Sequence, residues 1–132
     1  EDAGITPDIV TLAKGLGSGI PIGAMLATEA VASAFKLGAH GSTFGGNAFA
    51  CAVGIAVVDE LLRGEVLENC VAMGAHLREG LSRLRARHPA ILDVRGQGLL
   101  VGAELSIPGA PIVERCREAG LLINCTGEKV LR

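Results

Sequence analysis

The chain has 132 residues, of which 49% are hydrophobic and 20% are charged, and its formal net charge is −2. This length suffices for one small domain or for a piece of a larger one. The near-neutral balance provides no basic surface for nucleic acid or for an anionic membrane. The longest apolar run, residues 48–58, is too short to cross a bilayer.

The cysteines argue against a metal site. None of the four forms a C-x-x-C pair or another short metal-ligand spacing. We therefore expect no metal, no disulfide framework and a reducing, cytoplasmic location. The chain starts at Glu1 without methionine and stops directly after a strand-like pair, so we expect it to be a piece of a longer protein.

The first part of the chain alternates apolar runs with glycine-rich segments. Residues 7–13 predict a buried strand or turn that ends on Lys14. Residues 15–19 predict a flexible loop, and residues 20–27 predict a second buried strand. Residues 28–37 follow as a short capped helix.

A second glycine-rich loop, residues 38–46, leads to Asn47, which predicts the N-cap of a helix over 48–62. This helix is apolar nearly all round. We therefore expect it to be buried.

The pattern changes at residues 63–65. Residues 66–88 show amphipathic helical spacing, which ends at Pro89. The remaining predicted elements are strands at 91–94, 99–105, 121–125 and 130–132, and a helix at 112–119 that ends at Gly120. We predict that residues 1–62 are a slice of a buried α/β core and that residues 63–132 are a small α+β unit.

Lys14 is a candidate catalytic amine, because it ends an apolar run and precedes a glycine-rich segment. Partial desolvation there would lower its pKa and favour the neutral amine that attacks a carbonyl. The alternative is an ordinary solvated surface lysine, and the spacing alone leaves both open.

The segment 41–47 combines glycines, the hydroxyls of Ser42 and Thr43, and the start of a predicted helix. Free backbone N–H groups and a helix N-terminus favour a phosphate. The alternative is an ordinary capped turn. We interpret the neighbouring His40 as structural.

Two glycine motifs do not predict nucleotide sites. Residues 15–19 lack the Gly-Lys-Ser/Thr of a phosphate-binding loop. The run 96–98 precedes a predicted strand, whereas a dinucleotide fingerprint must open a helix. Arg132 is either an ordinary surface residue or a ligand-binding residue whose planar guanidinium binds a carboxylate through two hydrogen bonds.

Together these motifs resemble the class III aminotransferases and, among them, the acetylornithine aminotransferase subfamily. The resemblance runs from end to end, and its most specific part surrounds Lys14. It is carried by residues 8–17, 21–24, 40–47, Cys51, 94–99, 120–124 and 130–132. One departure is Ala48-Phe49, where the family more often has Pro-Leu, a difference expected to affect helix packing rather than chemistry.

The resemblance implies a fold type I pyridoxal-phosphate transferase of the α/β class. Residues 1–62 would be the C-terminal part of its cofactor-binding large domain. Residues 63–132 would be an incomplete small α+β C-terminal domain. Missing strands would pair with residues 9–12 and 22–26, so the isolated piece is expected to expose apolar surface and to associate.

The resemblance also assigns the site residues. Lys14 would hold pyridoxal 5'-phosphate as an aldimine and carry a proton between the substrate and the cofactor. Thr43 would bind the cofactor phosphate of the neighbouring subunit in a homodimer, with Ser42 as its companion by position only. Arg132 would bind the substrate α-carboxylate.

The implied reaction moves the terminal amino group of N-acetylornithine to 2-oxoglutarate, in arginine biosynthesis. Other class III donors remain open, namely ornithine, succinyl-diaminopimelate and 4-aminobutyrate, as does the glutamate-semialdehyde aminomutase. An α-carboxylate at Arg132 disfavours the last two. From a different class, a non-catalytic phosphate- or nucleotide-binding module also remains open. The family's aspartate at the pyridine nitrogen would lie upstream of Glu1, so this piece alone is expected to be inactive.

Overall fold

The computed structural model describes residues 4–132. The chain divides into two compact units between Gly64 and Glu65. This division lies two residues from the boundary predicted after residue 62. The assignment of the two units to the domains of a larger enzyme stays a prediction.

The first unit is built around an antiparallel pair of strands, with Ile9 opposite Ala27 at one end and Leu12 opposite Ala24 at the other. Its elements are strand β1 (Ile9–Leu12), a 3-10 helix (Lys14–Gly17), strand β2 (Ala24–Ala27), and helices α1 (Glu29–Ala32) and α2 (Ala48–Arg63). The strand predicted over 20–27 is confirmed only in its second half. Ile20 N–H donates to Gly17 O in a turn at 2.9 Å, and Pro21 has no N–H for a ladder.

The helix predicted over 28–37 is shorter than expected, since α1 ends at Ala32. After it the backbone hydrogen bonds span three residues rather than four: Ala34 N donates to Val31 O, and Phe35 N to Ala32 O. Such tight turns do not continue an α-helix.

The expected burial of this unit is wrong for the described residues. Ile9 of β1 is 50% exposed, Leu26 of β2 55% and Ile55 of α2 64%. Only Ala50 and Gly54 of α2 are buried. The reason is that α2 packs mainly on the 3-10 helix, which can cover one side of it at most, whereas α2 is apolar nearly all round. The expected exposure of apolar side chains on both strands is observed.

The second unit contains a four-stranded antiparallel sheet in the order β3-β4-β6-β5. Its elements are α3 (Val66–Arg87), β3 (Ile91–Gln97), β4 (Leu100–Leu105), α4 (Ala110–Glu118), β5 (Cys125–Thr126) and β6 (Val130–Leu131). All six predicted elements are present. The strand predicted after Gly98 is confirmed, so the glycine motif there does not open a helix and is not a dinucleotide fingerprint.

The strand predicted over 121–125 is reduced to β5, because Leu121 belongs to a helix cap. Gly120 has a φ of +85°. Gly120 N–H donates to Arg117 O, and Leu121 N–H donates to Cys116 O at 2.8 Å. This is the Schellman arrangement that ends many helices.

The core of the second unit follows the two-residue period of β4. Val101, Ala103 and Leu105 are buried at alternate positions. Helix α3 covers this hairpin, and Gly74 lies directly against Gly98. A Cβ atom at Gly74 would overlap the Gly98 carbonyl group, so the absence of a side chain permits the contact.

We predict that alanine substitutions at two glycines of α3, Gly74 and Gly80, have opposite effects on stability. Gly74→Ala would force α3 away from the Gly98 carbonyl and lower the free energy of unfolding by roughly 1–3 kcal/mol. At Gly80, a Cβ would have only Arg83 Nη2 nearby, at 3.8 Å. Gly80→Ala should therefore raise the free energy of unfolding by about 0.5–1 kcal/mol through helix propensity. Urea unfolding of the full-length protein, followed by circular dichroism, measures both. Equal effects would contradict the proposed packing.

An ion cluster joins β3 and β4 on the exposed side of the sheet. The register places Asp93 opposite Glu104, two like charges. Arg95 Nη1 lies between them, 3.1 Å from Asp93 Oδ2 and 2.5 Å from Glu104 Oε2. The hydrogen bond from Arg95 holds the pKa of Asp93 below its ordinary value of 3.8.

A lowered pKa means that the folded state binds the Asp93 proton more weakly than the unfolded state. The contribution to stability is therefore present above the unfolded pKa and is lost as the pH falls through the folded pKa. Arg95→Gln should raise the pKa of Asp93 and remove this contribution. Carboxyl ¹³C titration of Asp93 and unfolding at neutral and acidic pH test it. An unchanged Asp93 titration in the variant would contradict the assignment.

Candidate functional site

Lys14 begins the 3-10 helix, and Ala13 alone separates it from β1. Its φ is +50°, in the left-handed region that residues other than glycine rarely adopt. Such a conformation costs about 1–3 kcal/mol and concentrates at functional sites. Lys14 is exposed, so the expectation of partial desolvation is wrong for the described chain. The physical reason is that β1, which leads to it, is itself exposed.

The segment after Lys14 is not the flexible loop that was predicted. Ser18 N–H donates to Gly15 O at 3.2 Å, and the turn continues into the bond from Ile20 to Gly17. Gly17 is buried, and a Cβ there would come within 2.7 Å of Ile22 Cγ2. Gly17 therefore permits close packing, whereas a Cβ at Gly15 or Gly19 would meet nothing within 4 Å.

Helix α2 packs on this 3-10 helix at Gly54. The position of a Cβ at Gly54 would lie 3.4 Å from Ile22 Cδ1 and 3.8 Å from Leu16 O. The absence of a larger side chain lets the helix lie close to the segment that follows Lys14. The start of α2 and residues 21–23 consequently border the same cavity.

The loop before α2 has a defined hydrogen-bonded shape. Asn47 is the N-cap, as predicted, and its Oδ1 accepts from Ala50 N–H at 2.9 Å. Its Nδ2 donates to Phe44 O at 2.9 Å. Gly46 has a φ of +70°, and a Cβ at Gly45 would come within 2.8 Å of Ser42 Cβ.

The cavity has a volume of about 350 Å³, within the roughly 300–1,000 Å³ typical of ligand pockets. Its lining comes from residues 21–23, from Ser42 and residues 44–47, and from Ala50 and Cys51. Ser42 is the one predicted site residue in this lining. Lys14 and Thr43 are exposed outside it.

This arrangement fits a phosphate-bearing cofactor. The cradle contains the Ser42 hydroxyl, glycine backbone at a position that a Cβ would fill, and the first turn of a 16-residue helix. Hydroxyls and a helix N-terminus are the groups that bind phosphate in proteins. Among the residues that the structure describes, no cluster of three or more His, Cys, Asp or Glu is placed to hold a metal ion.

Arg132 lies in the second unit, where it extends the pairing of β5 and β6. Its N–H donates to Asn124 O at 2.9 Å, and its O accepts from Asn124 N–H at 3.0 Å. The residue is exposed. Its backbone is therefore held by two hydrogen bonds while its guanidinium is open to solvent.

Sequence reasoning missed part of the cavity lining, namely residues 21–23 and Cys51. The signal for Cys51 was its spacing, since a residue four positions after the N-cap lies on the same side of a helix. Residues 21–23 form part of a motif shared with relatives, but nothing in their local pattern indicates a pocket. Within residues 4–132, none of the helices combines the length and apolar composition needed to span a bilayer.

Comparison with known proteins gives consistent results. The model of the family "Aminotransferase class-III" matches residues 1–132. The acetylornithine aminotransferase 1 of Bordetella bronchiseptica is 50% identical over 130 residues, which are 98% of this chain and 33% of that protein. The acetylornithine aminotransferase of Caldanaerobacter subterraneus is 50% identical over 133 residues, covering 100% of this chain and 34% of that protein.

Solved structures match as well. The ornithine aminotransferase of Toxoplasma gondii superposes with a TM-score of 0.91 at 36% identity, over 98% of this chain and 32% of that one. The acetylornithine aminotransferase of Elizabethkingia anophelis has a TM-score of 0.91 at 32% identity, over 99% and 34%. The chain thus spans about a third of the length of these relatives.

These matches bear out the α/β fold of the pyridoxal-phosphate-dependent aminotransferases, to which the structural neighbours belong. Class III aminotransferases use pyridoxal phosphate as cofactor. With the family model matching residues 1–132 and half of the residues identical to those of curated members, the chain belongs to the class III aminotransferases.

Proposed function

We propose that this chain is part of an aminotransferase that moves the terminal amino group of N-acetylornithine to 2-oxoglutarate, in arginine biosynthesis. The observation that carries the proposal is the identity of 50% with acetylornithine aminotransferases over 98% of the chain. The enzyme would be a cytoplasmic homodimer. Residues 1–62 would belong to its cofactor domain and residues 63–132 to its small domain.

Lys14 is the catalytic amine in this proposal. Pyridoxal phosphate, when bound, is an electron sink that accepts the charge left on the substrate carbon after proton removal. Lys14 Nζ would hold the cofactor in the resting enzyme and, once free, would carry the proton as general base and then as general acid. Its left-handed backbone, separated from β1 by one residue, supports this role.

The hydroxyl of Thr43 donates a hydrogen bond to the phosphate of the cofactor held by the neighbouring subunit. Ser42 assists from the cavity lining. Thr43 is exposed in the described chain, so its hydroxyl is accessible to a ligand that another subunit holds.

Arg132 binds the α-carboxylate of the substrate with its planar, bidentate fork, leaving the distal amine for the chemistry. Its exposed side chain on hydrogen-bonded backbone supports this role. Because the chain spans about a third of its relatives, the 132 residues alone should be inactive.

The second candidate donor is ornithine. It is favoured by the close structural match to an ornithine aminotransferase, but the identity there is 36%, against 50% for the acetylornithine aminotransferases of Bordetella bronchiseptica and Caldanaerobacter subterraneus. Succinyl-diaminopimelate and 4-aminobutyrate follow. Assaying the full-length enzyme with each amine and 2-oxoglutarate decides between them, and N-acetylornithine should show the highest kcat/KM.

Lys14→Ala in the full-length enzyme should leave cofactor bound non-covalently and slow transamination by roughly 10²–10⁴-fold, the range for a positioned acid-base group. Borohydride treatment and peptide mass spectrometry should locate cofactor on the peptide that contains residue 14 in the wild type only. Lys36→Ala, another exposed lysine of the same unit, is the control and should retain activity. A Lys14→Ala enzyme with wild-type turnover would refute the assignment.

Thr43→Ala should weaken cofactor binding by roughly 1.5–3 kcal/mol, the range for a hydrogen bond to a charged group. Thr43→Ser keeps the hydroxyl and should restore most of the affinity. Fluorescence titration of the apoenzyme with pyridoxal phosphate measures both. If Thr43→Ala binds the cofactor as tightly as the wild type, Thr43 is not a phosphate ligand.

A further inference from the structure

We infer that Asn47 is a positioning residue of the phosphate cradle. Its side chain holds the backbone of residues 42–46 in the shape that binds phosphate, through a hydrogen bond from Nδ2 to Phe44 O that an N-cap does not need. The inference rests on the proposed function, because it concerns the affinity of that same cradle for the cofactor phosphate. It assigns to Asn47 no contact with the cofactor itself.

Asn47 uses both ends of its amide at once. Oδ1 accepts from Ala50 N–H, and Nδ2 donates to Phe44 O, each at 2.9 Å. Capping a helix requires only the acceptor, which Ser, Thr or Asp supplies equally well. An ionised aspartate has no donor, whereas the asparagine amide provides separate donor and acceptor atoms. The Nδ2 donor of Asn47 therefore stabilises the loop rather than the helix.

Within this chain, the loop has little else to hold it. Every residue from Gly41 to Phe49 is exposed, and Phe44 is 82% exposed. Burial of apolar side chains by the chain itself thus contributes little to the order of the loop, and each ordered residue costs about 1–2 kcal/mol of backbone entropy. Asn47 N–H also donates to Phe44 O, at 3.3 Å, so two bonds from Asn47 converge on this carbonyl.

Phe44 is the residue directly after Thr43, and Ser42 packs against Gly45 on the other side of it. Holding the Phe44 carbonyl therefore holds the backbone that carries both hydroxyls. A loop that is already ordered does not pay the ordering cost again when a ligand binds. Asn47 should consequently strengthen binding of phosphate-bearing ligands specifically.

The test compares two ligands that differ only in phosphate, pyridoxal phosphate and pyridoxal, on the full-length apoenzyme. Asn47→Ser keeps an N-cap acceptor but lacks the amide donor. We expect it to bind pyridoxal phosphate roughly 3- to 10-fold more weakly, the factor that corresponds to one neutral hydrogen bond, with pyridoxal affinity and the thermal unfolding midpoint unchanged. Amide hydrogen exchange in residues 42–46 should be faster in the Asn47→Ser apoenzyme than in the wild-type apoenzyme.

Ser33→Ala is the matched control, since it removes another exposed side-chain bond to a carbonyl three residues earlier in the same unit, Ser33 Oγ to Ala30 O at 2.9 Å. It should change neither ligand's affinity. Equal weakening of both ligands by Asn47→Ser would overturn the inference, as would unchanged binding of pyridoxal phosphate. If the wild type binds the two ligands equally, the proposed phosphate cradle itself fails, and the inference fails with it.

Discussion

The candidate site depends on the close approach of α2 to the 3-10 helix that begins at Lys14. The contact lies at Gly54, where a Cβ would already touch Ile22 Cδ1 at 3.4 Å and Leu16 O at 3.8 Å. Ile22 in turn packs on the buried Gly17, where a Cβ would come within 2.7 Å of Ile22 Cγ2. Since an α-helix is rigid, packing at Gly54 also sets where its first turn and the preceding loop lie.

Lys14 and the proposed phosphate cradle are held in place in different ways. Lys14 stands on left-handed backbone, whose strain is held by the turn that follows it. The phosphate cradle relies on hydrogen bonds, with Asn47 joining Phe44 to the first turn of α2.

In the second unit too, glycines permit close contact between neighbouring elements. Its hairpin lies against α3 through Gly74 and Gly98, and Arg78 Nη1 donates to Gly98 O at 3.3 Å. Glycine accounts for 19 of the 132 residues, and several of them stand where two backbones meet rather than in open loops. This explains how a chain with 2% aromatic residues still brings its elements close together.

The sequence by itself determined the two long helices, the Asn47 cap, the strands on either side of Gly98 and the family, because periodicity, capping and motif wording are local properties. The tertiary structure decided what depends on neighbours. The apolar runs of β1 and α2 predicted burial, but burial needs a covering layer, and these runs are exposed in the described chain. The lining of the cavity by residues 21–23 and Cys51 depends on packing at Gly17 and Gly54, which no local pattern encodes. The bond from Asn47 to Phe44 is local, but an N-cap pattern predicts only the acceptor of the Asn47 amide.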